Sequence, residues 1–111
     1  MAPPNSFFIR ALTDGRAVGC GGLRRINKCV GEIKQMWTAP EAHGQGVARR
    51  ILHELEALAR EAEIEMLHLD TNRALIEAQA MYRREGYQEI ARYNDNPFAH
   101  HWFEKRLEST V

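Results

Sequence analysis

Glu41-Ala42-His43-Gly44-Gln45-Gly46-Val47-Ala48-Arg49-Arg50 marks the point where the hydrophobic period of the chain changes. Upstream, Cys29 to Thr38 reads as a strand. Downstream, Val47, Ile51, Leu55, Leu58 and Ala62 recur at helical spacing, with Arg49, Arg50, Glu54, Glu56 and Arg60 largely on the other side. Ala39-Pro40-Glu41 ends the strand, because proline cannot donate to a ladder and biases its predecessor away from helix. Met66-Leu67-His68-Leu69 is a brief β-like run after the helix. Strand, helix and strand from Cys29 to Leu69 have the size of a right-handed parallel crossover.

On the N-terminal side, Phe7 to Leu12, Ala17 to Ile26 and Cys29 to Thr38 are apolar runs joined by Asp14-Gly15 and Asn27-Lys28. Short polar turns between such runs predict an antiparallel meander. On the C-terminal side, Ala74 to Glu85 is rich in helix formers and Gly86 is its natural stop. Tyr87 to Tyr93 and His100 to Leu107 read as two last strands around Asn94-Asp95-Asn96-Pro97. The predicted order is β-β-β-α-β-α-β-β, an α/β fold on a mixed sheet, in a single domain over residues 1–111.

Length and composition agree with one domain. The chain has 111 residues, 44% of them hydrophobic and 27% charged, an ordinary globular balance. Fifteen basic and fifteen acidic side chains cancel, which removes the electrostatic footprint of a nucleic-acid binder. No apolar run is long enough to span a bilayer, and residues 1–6 lack the features of a secretory signal. A soluble, cytoplasmic protein is expected. Cys20 and Cys29 form neither a CxxC pair nor a disulfide framework, and read as reduced thiols packed as small apolar residues. His53 lacks the second histidine of HExxH, and His100 and His101 would point to opposite faces of a strand, so no metal is expected.

Two glycines one residue apart at a strand-to-helix junction let backbone approach a ligand. The first amides of the helix have no intrahelical partner and carry the positive end of its dipole. The stretch 41–50 therefore predicts an anion cradle suited to phosphate, with a tight turn as the competing reading. Along the preceding strand, alternation puts Glu32, Lys34, Met36 and Thr38 on one face and Ile33, Gln35 and Trp37 on the other. Charge on a central strand implies that its face meets solvent or a cleft.

His43-Gly44-Gln45-Gly46-Val47-Ala48, after the strand Gly31 to Thr38, resembles the acetyl-CoA motif of the GNAT acetyltransferases. That motif opens on Arg or Gln, where this chain has His43; Gly46 and Ala48 match. Ala78-Gln79-Ala80-Met81-Tyr82-Arg83-Arg84-Glu85-Gly86-Tyr87 resembles the family's second motif, a helix ending in Tyr, three residues, Gly and an aromatic. The likeness runs from about Phe7 to Leu107.

By that resemblance, the amides from Gly44 through Gln45, Gly46, Val47 and Ala48 to Arg49 hold the pyrophosphate of acetyl-CoA, with His43 at the head of the motif. The main chain of Met36, Trp37 and Thr38 pairs with the pantetheine arm, and a splay between this strand and the one ending near Leu69 admits the thioester. Leu75 stands where many relatives carry Asn; nearby Asn72 is expected to cap the helix, contact the cofactor, or both. Tyr82 takes the place of the tyrosine that donates a proton or hydrogen bond to the departing sulfur. For the base, Glu32 is placed first and Asp70 second; Asp70 alternatively serves as a carboxylate at a helix N-terminus.

The activity so implied is N-acetyl transfer from acetyl-CoA to a primary amine by direct attack, with a catalytically silent CoA-binding or interaction module as the alternative. Arg24-Arg25 and Arg83-Arg84 read as solvated charges, Trp37 and Trp102 as core, and Asn94 to His101 as an acceptor-facing loop. The family fold usually opens with a strand and two helices over the acceptor site, whereas this sequence starts at the meander. The acceptor wall is therefore expected to be absent or to come from elsewhere, and an exposed first strand would invite a second copy of the chain, a homodimer.

Overall fold

The computed structural model describes residues 5–108; residues 1–4, the start of the stretch read as lacking a secretory signal, lie outside the described residues. The elements are β1 (Ser6–Thr13), β2 (Arg16–Arg25), β3 (Val30–Thr38), α1 (Val47–Glu61), β4 (Met66–Thr71), α2 (Ile76–Arg84), β5 (Gln88–Ile90) and β6 (His101–Arg106). Their order is the predicted one. They build one six-stranded sheet in the order β1-β2-β3-β4-β6-β5. The meander β1-β2-β3 is antiparallel, β3 and β4 are parallel through the α1 crossover, and β6 runs antiparallel to both β4 and β5.

Both helices pack on the same face of the sheet. Leu23, Ile33, Leu67, Leu69 and Phe103 of the strands meet Ile51, Leu52, Leu55 and Ala59 of α1 and Met81 and Tyr82 of α2 in one buried cluster. Contact between α1 and β2 is close because β2 lacks side chains there. A Cβ at Gly21 would lie 2.7 Å from Met36 Sδ and 2.8 Å from Ile51 Cγ2. One residue on the supposedly polar side of α1 is buried: Glu56 accepts from Tyr87 Oη at 2.7 Å and Lys105 Nζ at 3.1 Å, so its carboxylate is paired rather than solvated.

Strand β3 departs from simple alternation. Cys20 pairs with Trp37 and Gly22 with Lys34, so one β2 residue faces two on β3, and Gln35 takes φ 59°. This bulge reverses the later residues. Met36 and Thr38 turn to the helix face, not to the face of Glu32 as alternation predicts. Trp37, paired with Cys20, goes to the helix-free face and is 49% exposed, not core. Cys29 is likewise exposed rather than packed.

The start of α2 is also later than predicted. Asn72 Oδ1 accepts from Ala74 N at 2.8 Å and Asn72 O accepts from Leu75 N at 3.0 Å, so residues 72–75 form a turn. Asn72 therefore closes the turn before the helix instead of capping it; Leu75 holds the N-cap position without a side-chain bond. At the other end Gly86 (φ 96°) closes a Schellman motif, with Tyr87 N on Tyr82 O at 3.0 Å and Gly86 N on Arg83 O at 3.2 Å. After Ile90 the chain leaves the sheet, so the strand expected to reach Tyr93 is short. Among the described residues no helix is long and apolar enough to cross a membrane.

Candidate active site

A fork in the sheet organises the site. Strands β3 and β4 pair only at Val30↔Met66, Gly31↔Leu67 and Glu32↔His68. Beyond that pair β3 follows β2 to Thr38, while β4 follows β6 to Thr71. The two strands diverge because the β3 bulge turns its end toward β2, and the gap lies beyond their paired stretch.

On the helix side of the fork lies the 41–50 stretch. Pro40–Ala42 makes one 3-10 turn, and the His43 ring nitrogen Nε2 then meets Thr38 O at 3.2 Å. Gly44 and Gly46 have φ 79° and 77°, and a Cβ on either would touch nothing within 4 Å. Backbone conformation therefore requires these glycines, and the space beside them is open. The first helical bond is Arg50 N to Gly46 O at 3.1 Å, which leaves the amides of Val47, Ala48 and Arg49 without intrahelical acceptors. No acidic residue sits in the first turn to offset the dipole. These features fit a pyrophosphate. The Arg49 side chain points away to α2, where its Nε donates to Glu85 Oε2 at 3.1 Å. His53 also bonds Glu85 and, with Arg49, holds that carboxyl below the usual carboxylate range.

Tyr82 stands on the helix side as well. It is 4% exposed, and its ring meets Tyr87 edge-on at 5.8 Å and Phe103 at 6.0 Å. The Schellman motif and the Tyr87–Glu56 bond fix that pose. No described residue hydrogen-bonds its hydroxyl, yet the atom is not a sealed orphan. Burial, and secondarily the charge of Asp70, push the phenol up to about 12.

Both candidate carboxylates lie on the helix-free face. Glu32 is 4% exposed; its Oε2 accepts from Tyr93 Oη at 2.9 Å and Asn94 Nδ2 at 3.4 Å. Its Oε1 faces Arg24 Nη2 at 3.4 Å and Lys34 Nζ at 3.3 Å. Asp70 accepts from Asn94 Nδ2 at 2.8 Å and Asn96 Nδ2 at 3.1 Å. It sits on β4, before the turn that leads to α2, so it is not a carboxylate at the helix start. A cavity of about 240 Å³ opens beside Glu32, lined also by Arg24, Ile26, Lys34, His68, Tyr93 and Asn94. Burial and the Glu32 charge raise the Tyr93 phenol.

The fold thus brings Tyr82, Asp70 and Glu32 to one fork, with the 43–49 cradle and the end of β3 on its helix side. Asn72 is tied elsewhere: its Nδ2 donates to Phe98 O at 2.9 Å. Tyr93 carries no local sequence signal for its place here, and Arg24, 58% exposed and so solvated as expected, also pairs with Glu32 at 3.4 Å. Arg25 is also engaged, donating to Ala62 O at 2.7 Å. Only the turn-rich run after Tyr93 signalled that this segment leaves the sheet. Trp102 is buried as expected, and its Nε1 donates to Asn94 Oδ1 at 2.9 Å.

This arrangement has known relatives. A model of the acetyltransferase (GNAT) family matches residues 1–87. An IAA acetyltransferase from Azospirillum brasilense is 34% identical over 88 residues, covering 78% of this chain and 58% of that protein. An aminoalkylphosphonate N-acetyltransferase from Salmonella typhimurium is 32% identical over 91 residues, covering 78% and 59%. This chain thus spans less than two-thirds of the length of these curated relatives. The crystal structure of a Klebsiella pneumoniae protein described as an acyl-CoA N-acyltransferase superposes with a TM-score of 0.83 at 31% identity over 94% of this chain and 74% of that one. With a matching family model over most of its length and the fold and fork in place, the chain belongs to the acetyltransferase (GNAT) family.

Proposed function

We propose that this chain transfers the acetyl group of acetyl-CoA to a primary amine by direct attack in a ternary complex. The observation that carries the reading is the end of β3–β4 pairing at Glu32 and His68. The gap beyond them lies between free helix amides on one side of the sheet and two carboxylates on the other. A donor held through its pyrophosphate by residues 43–49, with its arm along Met36, Trp37 and Thr38, would present its thioester to the gap.

The amine nitrogen attacks the carbonyl carbon, a C–N bond forms, and the C–S bond breaks with its electrons leaving on sulfur. The amine proton passes to Asp70, directly or through one water. Asp70 is preferred to Glu32 because it lies on the unpaired stretch of β4, whereas four donors already occupy both Glu32 oxygens. Tyr82 serves the sulfur as a hydrogen-bond donor. A thiol titrates near about 8.5, so full proton transfer from a phenol at about 12 would run roughly 5 kcal/mol uphill. A hydrogen bond to the nascent thiolate avoids that cost.

The silent CoA-binding module has one observation in its favour, namely that both carboxylates are already hydrogen-bonded within the chain. Two further readings accompany the main one. Two cysteines that form no disulfide support a reducing, cytoplasmic compartment. Phe8 and Leu12, 56% and 57% exposed on edge strand β1, support a homodimer.

Thermal melts with and without acetyl-CoA test binding, since a ligand specific to the native state raises Tm. Release of free CoA with a panel of alkylamines, diamines, amino acids and a peptide amino terminus then tests transfer. A raised Tm with amine-dependent release is expected. A raised Tm with no release from any amine leaves only the silent module, and an unchanged Tm removes both.

A further inference from the structure

The cavity on the helix-free face carries more positive than negative charge. Arg24 and Lys34 both approach the same Glu32 oxygen, at 3.4 and 3.3 Å, and their side chains are 58% and 48% exposed. Charge-assisted bonds of full strength are nearer about 2.8 Å, so neither cation is tightly bound. A guanidinium has five N–H donors and an ammonium three, most of them unused among the described residues. Of the other titratable groups at the cavity, His68 is bonded to Glu104 at 3.1 Å and Tyr93 donates to Glu32. One carboxylate therefore faces two cations, an excess of one positive charge at the rim.

Two more carboxylates lie nearby: Glu104, paired with His68, and Asp70, beyond Asn94 on the side of the fork. Asp70 and Lys34 are each two residues past the last β3–β4 pair, on the same face, and Arg24 is directly across from Glu32 on β2. β3 and β4 are no longer paired there, so the cationic rim lies across the opened gap from Asp70, farther than the about 4.8 Å between paired strands. Ile26 and the tilted ring pair of His68 and Tyr93, with centroids 4.9 Å apart, supply apolar walls.

Resting on the transferase reading, we infer that the acceptor is a short-chain amine that also carries an anionic group. Its amine lies toward Asp70 and the fork, and its anion lies on Arg24 and Lys34. A simple alkylamine leaves the rim cations unanswered, and a diamine places a second positive charge against them.

Matched members of the amine panel test this: gamma-aminobutyrate, n-butylamine and putrescine, compared by kcat/KM for CoA release. The anionic amine should exceed the other two by about tenfold or more, the effect of one charge-assisted contact. Replacing both cations, Arg24→Gln with Lys34→Gln, should collapse that ratio toward unity, with thermal melts confirming that the variant is folded. Equal or better use of n-butylamine or putrescine overturns the inference while leaving the transferase standing. An unchanged ratio in the double variant also overturns it. Silence of the whole panel fails the transferase reading itself.

Discussion

Glu32 and His68 are the last residues at which the parallel strands β3 and β4 are paired. Every group proposed to act on acetyl-CoA or the amine lies around the gap that opens after them. The gap exists because Gln35 bulges out of β3 at φ 59° and directs its end along β2. Two requirements follow: glycine-dependent backbone on the helix side and a polar brace on the other.

The helix-side requirement is tested at Gly46. Its φ of 77° is left-handed, and nothing stands within 4 Å of a Cβ built there. A left-handed cost of about 1–2 kcal/mol, less roughly 0.5–1 of unfolded-state entropy that alanine recovers, should make Gly46→Ala cost about 0.5–1 kcal/mol net, read from denaturant midpoints. The same variant should bind acetyl-CoA more weakly by calorimetry. Full stability together with unchanged affinity would show that the cradle does not depend on this conformation.

The brace is Asn94. Its amide nitrogen serves Asp70 at 2.8 Å and Glu32 at 3.4 Å, and its oxygen accepts from buried Trp102. Asn94→Ala leaves that indole N–H and one carboxylate oxygen without their partner. The expected loss is about 1–3 kcal/mol of stability, with a fall in turnover as the two carboxylates lose their shared anchor. A change under about half a kcal/mol would mean that water replaces the brace at no cost.

All three tyrosines have phenols shifted upward: Tyr82 to about 12, and Tyr87 and Tyr93 in the same direction through burial and the charges of Glu56 and Glu32. In the unfolded chain a tyrosine titrates near about 10. The folded state thus holds these protons more tightly, so the associated stability is whole below about pH 10 and declines as pH rises toward 12 and beyond. Each of the buried pair Tyr82 and Tyr87 contributes a slope approaching 1.4 kcal/mol per pH unit, as an order-of-magnitude figure, about where only the unfolded form is ionised. Tyrosinate absorbance should therefore appear together with loss of circular dichroism. A tyrosine that ionises near pH 10 in still-folded protein would contradict these environments.

Helix α1 ends on a residue ill suited to its place. Glu63 is exposed at φ 63° and its amide closes a Schellman motif on Arg60 O at 3.0 Å, with Ile64 N on Ala59 O at 2.9 Å. Glycine removes a left-handed cost of about 1–2 kcal/mol and adds back roughly 0.5–1 of unfolded-state entropy. Glu63→Gly should raise stability by about 0.5–1 kcal/mol, measurable as a higher denaturant midpoint with unchanged slope. A lower midpoint would show that Glu63 makes a compensating interaction.

Where periodicity is strict, the sequence discloses the fold. The step from the Cys29–Thr38 strand to the Val47, Ile51, Leu55 stripe places the crossover, and Gly86 places the end of α2. The bulge at Gln35 carries no such mark, because a glutamine in the left-handed region is set by the pairing of β2 with β3 and not by its own preference. That single residue reverses Met36, Trp37 and Thr38. The turn before α1 is legible because Gly44 and Gly46 are local backbone requirements. The Glu32–Tyr93–Asn94–Asp70 cluster is not, since its members meet only through tertiary packing, Glu32 and Tyr93 being far apart along the chain. The fate of Glu56 is hidden for the same reason: its buried partners, Tyr87 and Lys105, come from later segments.

Acetyl transfer at the fork depends on Tyr82 assisting the departing sulfur. Its most direct test is Tyr82→Phe, measured as amine-dependent release of CoA alongside calorimetric affinity for acetyl-CoA. Phenylalanine keeps the ring contacts with Tyr87 and Phe103 and removes only the hydroxyl, which bonds no described residue. A fall in kcat of roughly a hundredfold is expected, with acetyl-CoA affinity held within about twofold. Turnover equal to that of the parent chain would contradict this role of Tyr82.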